Sequence, residues 1–285
     1  MLSELREQRV LGALRLVDRV TGASLNRPLR VRSESARLVR NVRGWYVVTQ
    51  ASGLEGHSSS FLAPPETPGL ETIATTIDVS DPQKRYLPRR AILRLPRDPD
   101  PEHKDSAGSL FRPQDVLMYP ASTAALSPNW STVRATVTQG PDPQTAPPVQ
   151  GGLIRIIDAA AGTVLASGIS DQRGEALIIV PGVPVTKFAA GEADDGPPGG
   201  GPPGGGPPGG GPPGGGPPGG GNGHDTAQPV LVNTLTVRLE LSLAGPASWP
   251  VNPDLLEQNH EANRRVSRDL ELATGRMERV AINVT

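Results

Sequence analysis

The sequence predicts an all-β protein: two tandem antiparallel β-sandwiches followed by a helix-strand tail. Three observations carry this. Short stretches of alternating apolar and polar residues recur along the chain, bounded by Gly, Pro, Asn and Asp. Aromatics make up only 3% of the residues, so any core is built from Val, Ile and Leu, which suits short strands. A block of strand and turn residues also occurs twice.

The first element of the repeat is Leu14-Arg15-Leu16-Val17-Asp18, followed by Gly22 and Leu25. It returns as Ile154-Arg155-Ile156-Ile157-Asp158, followed by Gly162 and Leu165, at an offset of 140 residues. In each copy the alternation puts one strand face on a core and the other, with Arg15 or Arg155, in water. Asp18 or Asp158 then opens a turn that Gly22 or Gly162 completes. A second strand follows, around Leu29–Arg32 or Val164–Ala166. The second element is Asn41-Val42-Arg43-Gly44 running into Trp45–Thr49, matched at an offset of 130 by Asp171-Gln172-Arg173-Gly174 and Ala176–Val180. Thr75–Val79 and Ala91–Leu95 flank a turn-rich segment and complete the first copy. Leu235, Val237, Leu239, Leu241 and Leu243 form the cleanest half-buried strand and complete the second.

The boundaries follow from composition. Residues 1–139 form the first sandwich, and GPDPQTAPPVQGG (140–152) is a linker whose Pro and Gly interrupt ladder pairing. Val133, Ala135 and Val137 alternate as a strand that closes the first sandwich or opens the second. Residues 153–247 form the second sandwich, with a low-complexity insert at 190–228. Five repeats of PPGGG there hold 10 prolines and 15 glycines. A five-residue period cannot make a collagen triple helix, which needs Gly at every third position, so the tract reads as an extended tether in a permissive loop. In the tail, 248–285, Asn252 caps a helix and Pro253 fits its first turn. Leu255, Leu256, Ala262, Val266, Leu270 and Ala273 make its apolar stripe and Gly275 ends it; Val280, Ile282 and Val284 then alternate as a strand.

A strand ending in Asp, a Gly turn, a strand, then Asp-x-x-Gly leading into an apolar strand resembles the transthyretin-like family, which includes the carboxypeptidase regulatory-like domains. The resemblance rests on Ile154–Asp158, Gly162, Asp171, Gly174 and Leu177–Val180, and less fully on the first copy. It implies immunoglobulin-like sandwiches that act as folding aids, adhesion modules or structural subunits. One catalytic relative hydrolyses 5-hydroxyisourate through His and Arg and ends in Tyr-Arg-Gly-Ser; this sequence ends Ala281-Ile282-Asn283-Val284-Thr285.

The formal charge is −1, from 28 Lys and Arg against 29 Asp and Glu, which argues against a general electrostatic grip on nucleic acid. The local run Arg27, Arg30, Arg32, Arg37, Arg40 and Arg43 reads as arginines on exposed strand faces rather than an anion patch. The absence of cysteine excludes disulfides and thiolate metal sites. Charges interrupt the N-terminal segment, so it does not read as a secretory signal, and no stretch approaches the ~20 apolar residues of a membrane helix. The expectation is cytoplasmic synthesis without membrane insertion.

No catalytic, cofactor-binding or metal-binding residues are assigned. His57, His103, His224 and His260 are far apart, and no nucleophile elbow or phosphate loop is present. Asp98, Asp100, Glu102, His103 and Asp105 form the best acidic cluster, but without the Gly of a calcium loop it reads as a solvated loop. Trp45, Trp130 and Trp249 read as core plugs. The candidate partner contacts are Phe61 and Leu62 in a loop of the first copy, and Leu255, Leu256, Val266 and Leu270 in the tail. The expected class is a non-catalytic structural subunit or scaffold that contacts other protein subunits, a second copy of itself included. A glycan- or protein-binding module is the alternative.

Overall fold

The computed structural model describes residues 9–59, 65–128, 130–183, 187–188, 229–230, 234–245 and 249–285. It is mostly β. The first half folds as β1 (Gly12–Asp18), β2 (Arg30–Arg32), β3 (Ala36–Arg40), β4 (Tyr46–Ala51), a short helix α1 (Glu55–Ser59), β5 (Ile73–Ser80), β6 (Arg89–Leu95) and β7 (Gln114–Met118). Two sheets result, with orders β3-β4-β1-β7 and β2-β5-β6. Their inner faces meet in one apolar cluster that includes Leu14, Leu16, Val48, Ile77, Val79, Leu93, Leu95 and Met118. The β5–β6 ladder shows the alternation at work: Ile77, Val79, Leu93 and Leu95 are buried while Thr76 and Arg94 face water.

The second half adds β8 (Ser131–Gln139), β9 (Leu153–Asp158), β10 (Val164–Ile169), β11 (Glu175–Val180), β12 (Lys187–Phe188), β13 (Pro229–Val230), β14 (Thr234–Ser242), the short helices α2 (Pro253–Gln258) and α3 (His260–Asn263), β15 (Arg264–Ala273) and β16 (Met277–Val284). Sheet β10-β9-β14-β15 faces sheet β11-β8-β16 across a second core containing Val133, Val137, Ile154, Ile156, Ile178, Val237, Leu239, Leu241 and Ile282. In both sandwiches one pair of neighbours runs parallel, β1 with β7 and β8 with β16, and the other pairs are antiparallel. Both sandwiches belong to one compact unit, Met1–Val183 with Thr234–Thr285. A second unit, Pro184–Asn233, contains the antiparallel pair β12–β13; the PPGGG tract lies outside the described residues.

The duplicated turns bond identically. Asp18 Oδ1 accepts from Val20 N–H and Thr21 N–H, and Gly22 N–H returns to Asp18 O at 2.9 Å. Asp158 Oδ1 likewise accepts from Ala160 N–H and Ala161 N–H, with Gly162 N–H on Asp158 O at 2.9 Å. Both glycines are left-handed, at φ 70° and 69°. Asn41 and Asp171 act in the same way, each accepting through Oδ1 from the residues two and four ahead, while Gly44 and Gly174 close the turns at φ 82° and 73°. The strands around them pair differently. The Asn41 turn is a hairpin within one sheet, between β3 and β4, whereas the Asp171 turn carries the chain from β10 in one sheet to β11 in the other.

Three expectations are corrected. Segment 140–152 is an internal loop of the second sandwich, because β8 pairs with β11 and β16; the change of sandwich falls between β7 and β8. The loop is tied back by Gln139 N–H on Pro147 O and Val149 N–H on Val137 O. The tail is no appendage, since β15 pairs along β14 and β16 along β8. Its helix stops at Gln258, α3 adds one turn, and residues 264–273 form a strand in which Val266, Leu270 and Leu272 share the core side. The i to i+4 spacing of Val266 and Leu270 satisfies both a helix and a strand, and Leu272 decides between them. Gly275, at φ 67°, turns β15 into β16.

Candidate interaction surfaces

The residues with the most unusual surroundings lie where the two sandwiches meet. A third apolar cluster joins Leu87, just before β6, and Tyr119 and Ala121, just after β7, to Leu153 and Ile169 on β9 and β10, and to Val251 and Leu256 around α2; Trp249 packs against it. Strand β9 is therefore buried on both faces, and Arg155 is 8% exposed, unlike its counterpart Arg15, which pairs with Asp115 at the surface. The sequence carried that signal: Leu153, Ile154, Ile156 and Ile157 place apolar side chains on both sides of one strand.

Polar groups frame the cluster. Arg89 is fully buried at the start of β6, donating to Leu117 O at 2.8 Å, to Arg90 O at 3.1 and 3.2 Å, and to the Asp254 carboxylate of α2. Arg90 N–H donates to Val251 O at 2.7 Å. Helix α2 is fixed by its cap, Asn252 Oδ1 accepting from Asp254 N–H at 3.1 Å. Arg19, just past β1, donates to Ser167 Oγ of β10 at 3.0 Å. Ser122 on the connecting segment donates to Asp171 Oδ2 at 3.0 Å and accepts from Arg173 at 3.1 Å, so the Asp171 turn also grips the connection. Burial pushes the Tyr119 hydroxyl above its ordinary range, with Arg89 and Arg19 pulling the other way. Sequence reasoning missed Arg89, Tyr119 and Asp254; the first was visible only as a charge at the head of an apolar strand.

Of the expected partner contacts, Phe61 and Leu62 lie outside the described residues. Leu255 is 45% exposed on α2, while its neighbour Leu256 is 3% exposed in the joint. Val266 and Leu270 pack on the core of the second sandwich. The structure does not bring the four described residues, Leu255, Leu256, Val266 and Leu270, together into one patch. The acidic cluster is an ordered loop. Buried Arg97 organises it, donating to Glu71 Oε1 at 3.2 Å and to the carbonyls of Ala107, Ser109 and Arg112. Asp100 caps the short 3-10 turn Pro101–His103, and Asp98 accepts from Asp100 N–H and bonds His103 Nδ1 at 2.7 Å. These two bonds hold the Asp98 carboxyl below its ordinary range, and Asp98 raises His103 in turn.

Among the described residues no group of three or more His, Cys, Asp or Glu is placed to hold a metal ion, and no helix is long and apolar enough to cross a membrane. Arg30, Arg32, Arg37, Arg40 and Arg43 are exposed, and Arg27 bonds the buried carboxylate of Asp81. Burial acts to raise Asp81, but the N–H groups of Gln83, Arg85 and Tyr86 together with Arg27 bring it below the ordinary value. The tryptophans are half-buried rather than core plugs, and the Arg43 guanidinium lies 5.7 Å from the Trp45 ring centroid. Compared with known proteins, the chain matches no family model and no curated protein.

Proposed function

We infer that this chain is a non-catalytic structural subunit or adaptor of a larger protein assembly. The observation that carries the reading is the joint. Two sandwiches share a dry cluster framed by a fully buried arginine, and a helix from the C-terminal part of the chain is wedged between them. Such a joint, apolar at its centre and hydrogen-bonded at its edge, restrains the angle between two modules, which is what a part that transmits position or load requires. The identical bonding of the repeated Asx-Gly turns supports transthyretin-like ancestry for the sandwiches. Particles built inside a cell, such as phage tails and contractile injection machines, are the assembly type this architecture fits best, by analogy.

The test is native: extracts from the source cells are fractionated by size, and the chain is quantified with the proteins that co-migrate at fixed ratio. Co-migration with tube, sheath or baseplate proteins is expected. A free chain in extract that binds glycans on an array would overturn the subunit reading in favour of a recognition module. That second reading has one observation behind it, a cleft of ≈ 580 Å³ beside α2 whose lining includes Arg90, Leu255, Asn252, Asn259 and Asn263.

A further inference from the structure

Every open sheet needs a device that stops its edge strands from pairing with another chain. The described edges of the two sandwiches show those devices with one exception. β2 is three residues long and carries Arg30 and Arg32; β3 has Arg37, Arg40 and a register shift between Arg37 and Leu38. β6 is engaged through Arg90 N–H on Val251 O, and β7 is five residues long with Asp115 outward. β10 is irregular between Val164 and Ala166, and β11 is buried along its length after Glu175. β15 is long but carries Arg264, Arg265, Arg268, Asp269 and Glu271.

β16 is different. It runs eight residues, pairs with β8 from Met277↔Thr132 to Val284↔Gln139 without a register shift, and has β8 as its only strand partner among the described residues. Its charges, Glu278 and Arg279, sit at one end, and Val280–Val284 carries none. The core side holds Val280, Ile282 and Val284; on the other side Met277, Arg279 and Ala281 are exposed.

The geometry points to β16 as a self-association edge, on which β16 of a second copy adds antiparallel about a two-fold axis at Ala281. The charge pattern selects this occupant and this direction. A parallel in-register partner would set Arg279 beside its own copy. The antiparallel one sets Arg279 opposite Asn283 of the partner subunit and Glu278 opposite Val284 of the partner subunit, so no like charges meet. Val280 then faces Ile282 of the partner subunit, and the three-stranded sheet becomes a continuous six-stranded one. Such a contact is isologous and closes at two copies. It deepens the subunit reading and rests on it, naming a partner for one surface.

The absence of cysteine makes a direct test possible. Two residues facing each other across such an axis have Cα atoms about 4.5–5.5 Å apart, inside the about 4.4–6.8 Å window of a disulfide. In the full-length chain, A281C is expected to form a disulfide-linked dimer under mild oxidation at least about tenfold faster than a control R268C on exposed β15. Light scattering across a concentration series is expected to show a monomer–dimer equilibrium, which A281D weakens by about tenfold or more because two like charges are set directly opposite across the seam. A single-copy mass at every concentration overturns the proposal. So does A281C cross-linking no faster than R268C, or a dimer indifferent to A281D. An isolated monomer that still co-migrates with other proteins in extract sinks the edge pairing alone and leaves the subunit reading standing.

Discussion

Replacing Arg89 by Met tests the joint at its centre. The side chain is 0% exposed and its volume is roughly kept, so the change removes donors rather than opening a cavity. Two carbonyl oxygens, Leu117 O and Arg90 O, lose partners held at 2.8 and 3.1–3.2 Å. A buried acceptor left unsatisfied costs about 1–3 kcal/mol. The Asp254 carboxylate also loses its partner, but that side chain is 40% exposed and recovers water. Part of the loss is offset because a guanidinium no longer has to be stripped of water. The net expectation is about 2–4 kcal/mol of destabilisation for R89M.

D254N leaves Arg89 its carbonyl partners and weakens one half-exposed charge contact, so it costs only about 0.5–2 kcal/mol. Urea unfolding of both variants gives the comparison. Native-state hydrogen exchange then locates it: Arg90 N–H on Val251 O and Asn259 N–H on Leu255 O lose protection in R89M, while the β5–β6 ladder keeps it. An R89M protein as stable as the parent, or a D254N cost that exceeds it, would refute the account of what frames the joint.

L256A is expected to lose about 2–4 kcal/mol in the same urea assay and L255A less than about 0.5 kcal/mol, because only Leu256 fills the joint. G174A is expected to be far costlier than G162A. Both need a left-handed backbone, but a Cβ at 174 would lie 2.3 Å from Val137 O while one at 162 meets nothing within 4 Å, so G162A carries only the strain of about 1–2 kcal/mol. By NMR titration His103 is expected to hold its proton above the ordinary value of 6.5, and D98N to lower it toward that value, with Asp100 still acting to raise it. The sign follows: the His103 contribution is present below its ordinary value and fades as pH rises through the raised one, whereas the Asp98 contribution is present above its ordinary 3.8 and fades as pH falls through the lowered one.

Local chemistry was the most legible part of the sequence. Asp18, Asn41, Asp158 and Asp171 with their glycines make the turns expected of them, since an Asx side chain and a left-handed Gly are sufficient to specify such a turn. Strands with a strict period of two, β5, β6, β8 and β14, were equally plain. Pairing was not legible, because the same turn serves within a sheet at Asn41 and between sheets at Asp171, and which occurs depends on neighbours far along the chain. The tail failed for a narrower reason: Asn252 and Pro253 do start a helix, and the four-residue spacing beyond it suits either secondary structure. The joint was the least legible, because its residues come from five separated segments and no periodicity connects Arg89 with Asp254.

The contrast between Arg15 and Arg155 shows what the joint adds to the sandwiches. Both sit at the same place in the repeated strand, yet Arg15 holds Asp115 at the surface and Arg155 lies buried, 3.5 Å from Glu257 of α2. A free sandwich needs only one dry face on that strand. β9 has two because the C-terminal segment passes from β14 through α2 before returning as β15, and the route lays Val251 and Leu256 against Leu153 and Ile169. Strands β15 and β16 thus complete the second sandwich while the segment before them clamps the first. A strand on the β16 edge is therefore one sheet away from the clamp, through β8 and its Ser131 hydroxyl on Ala273 O of β15.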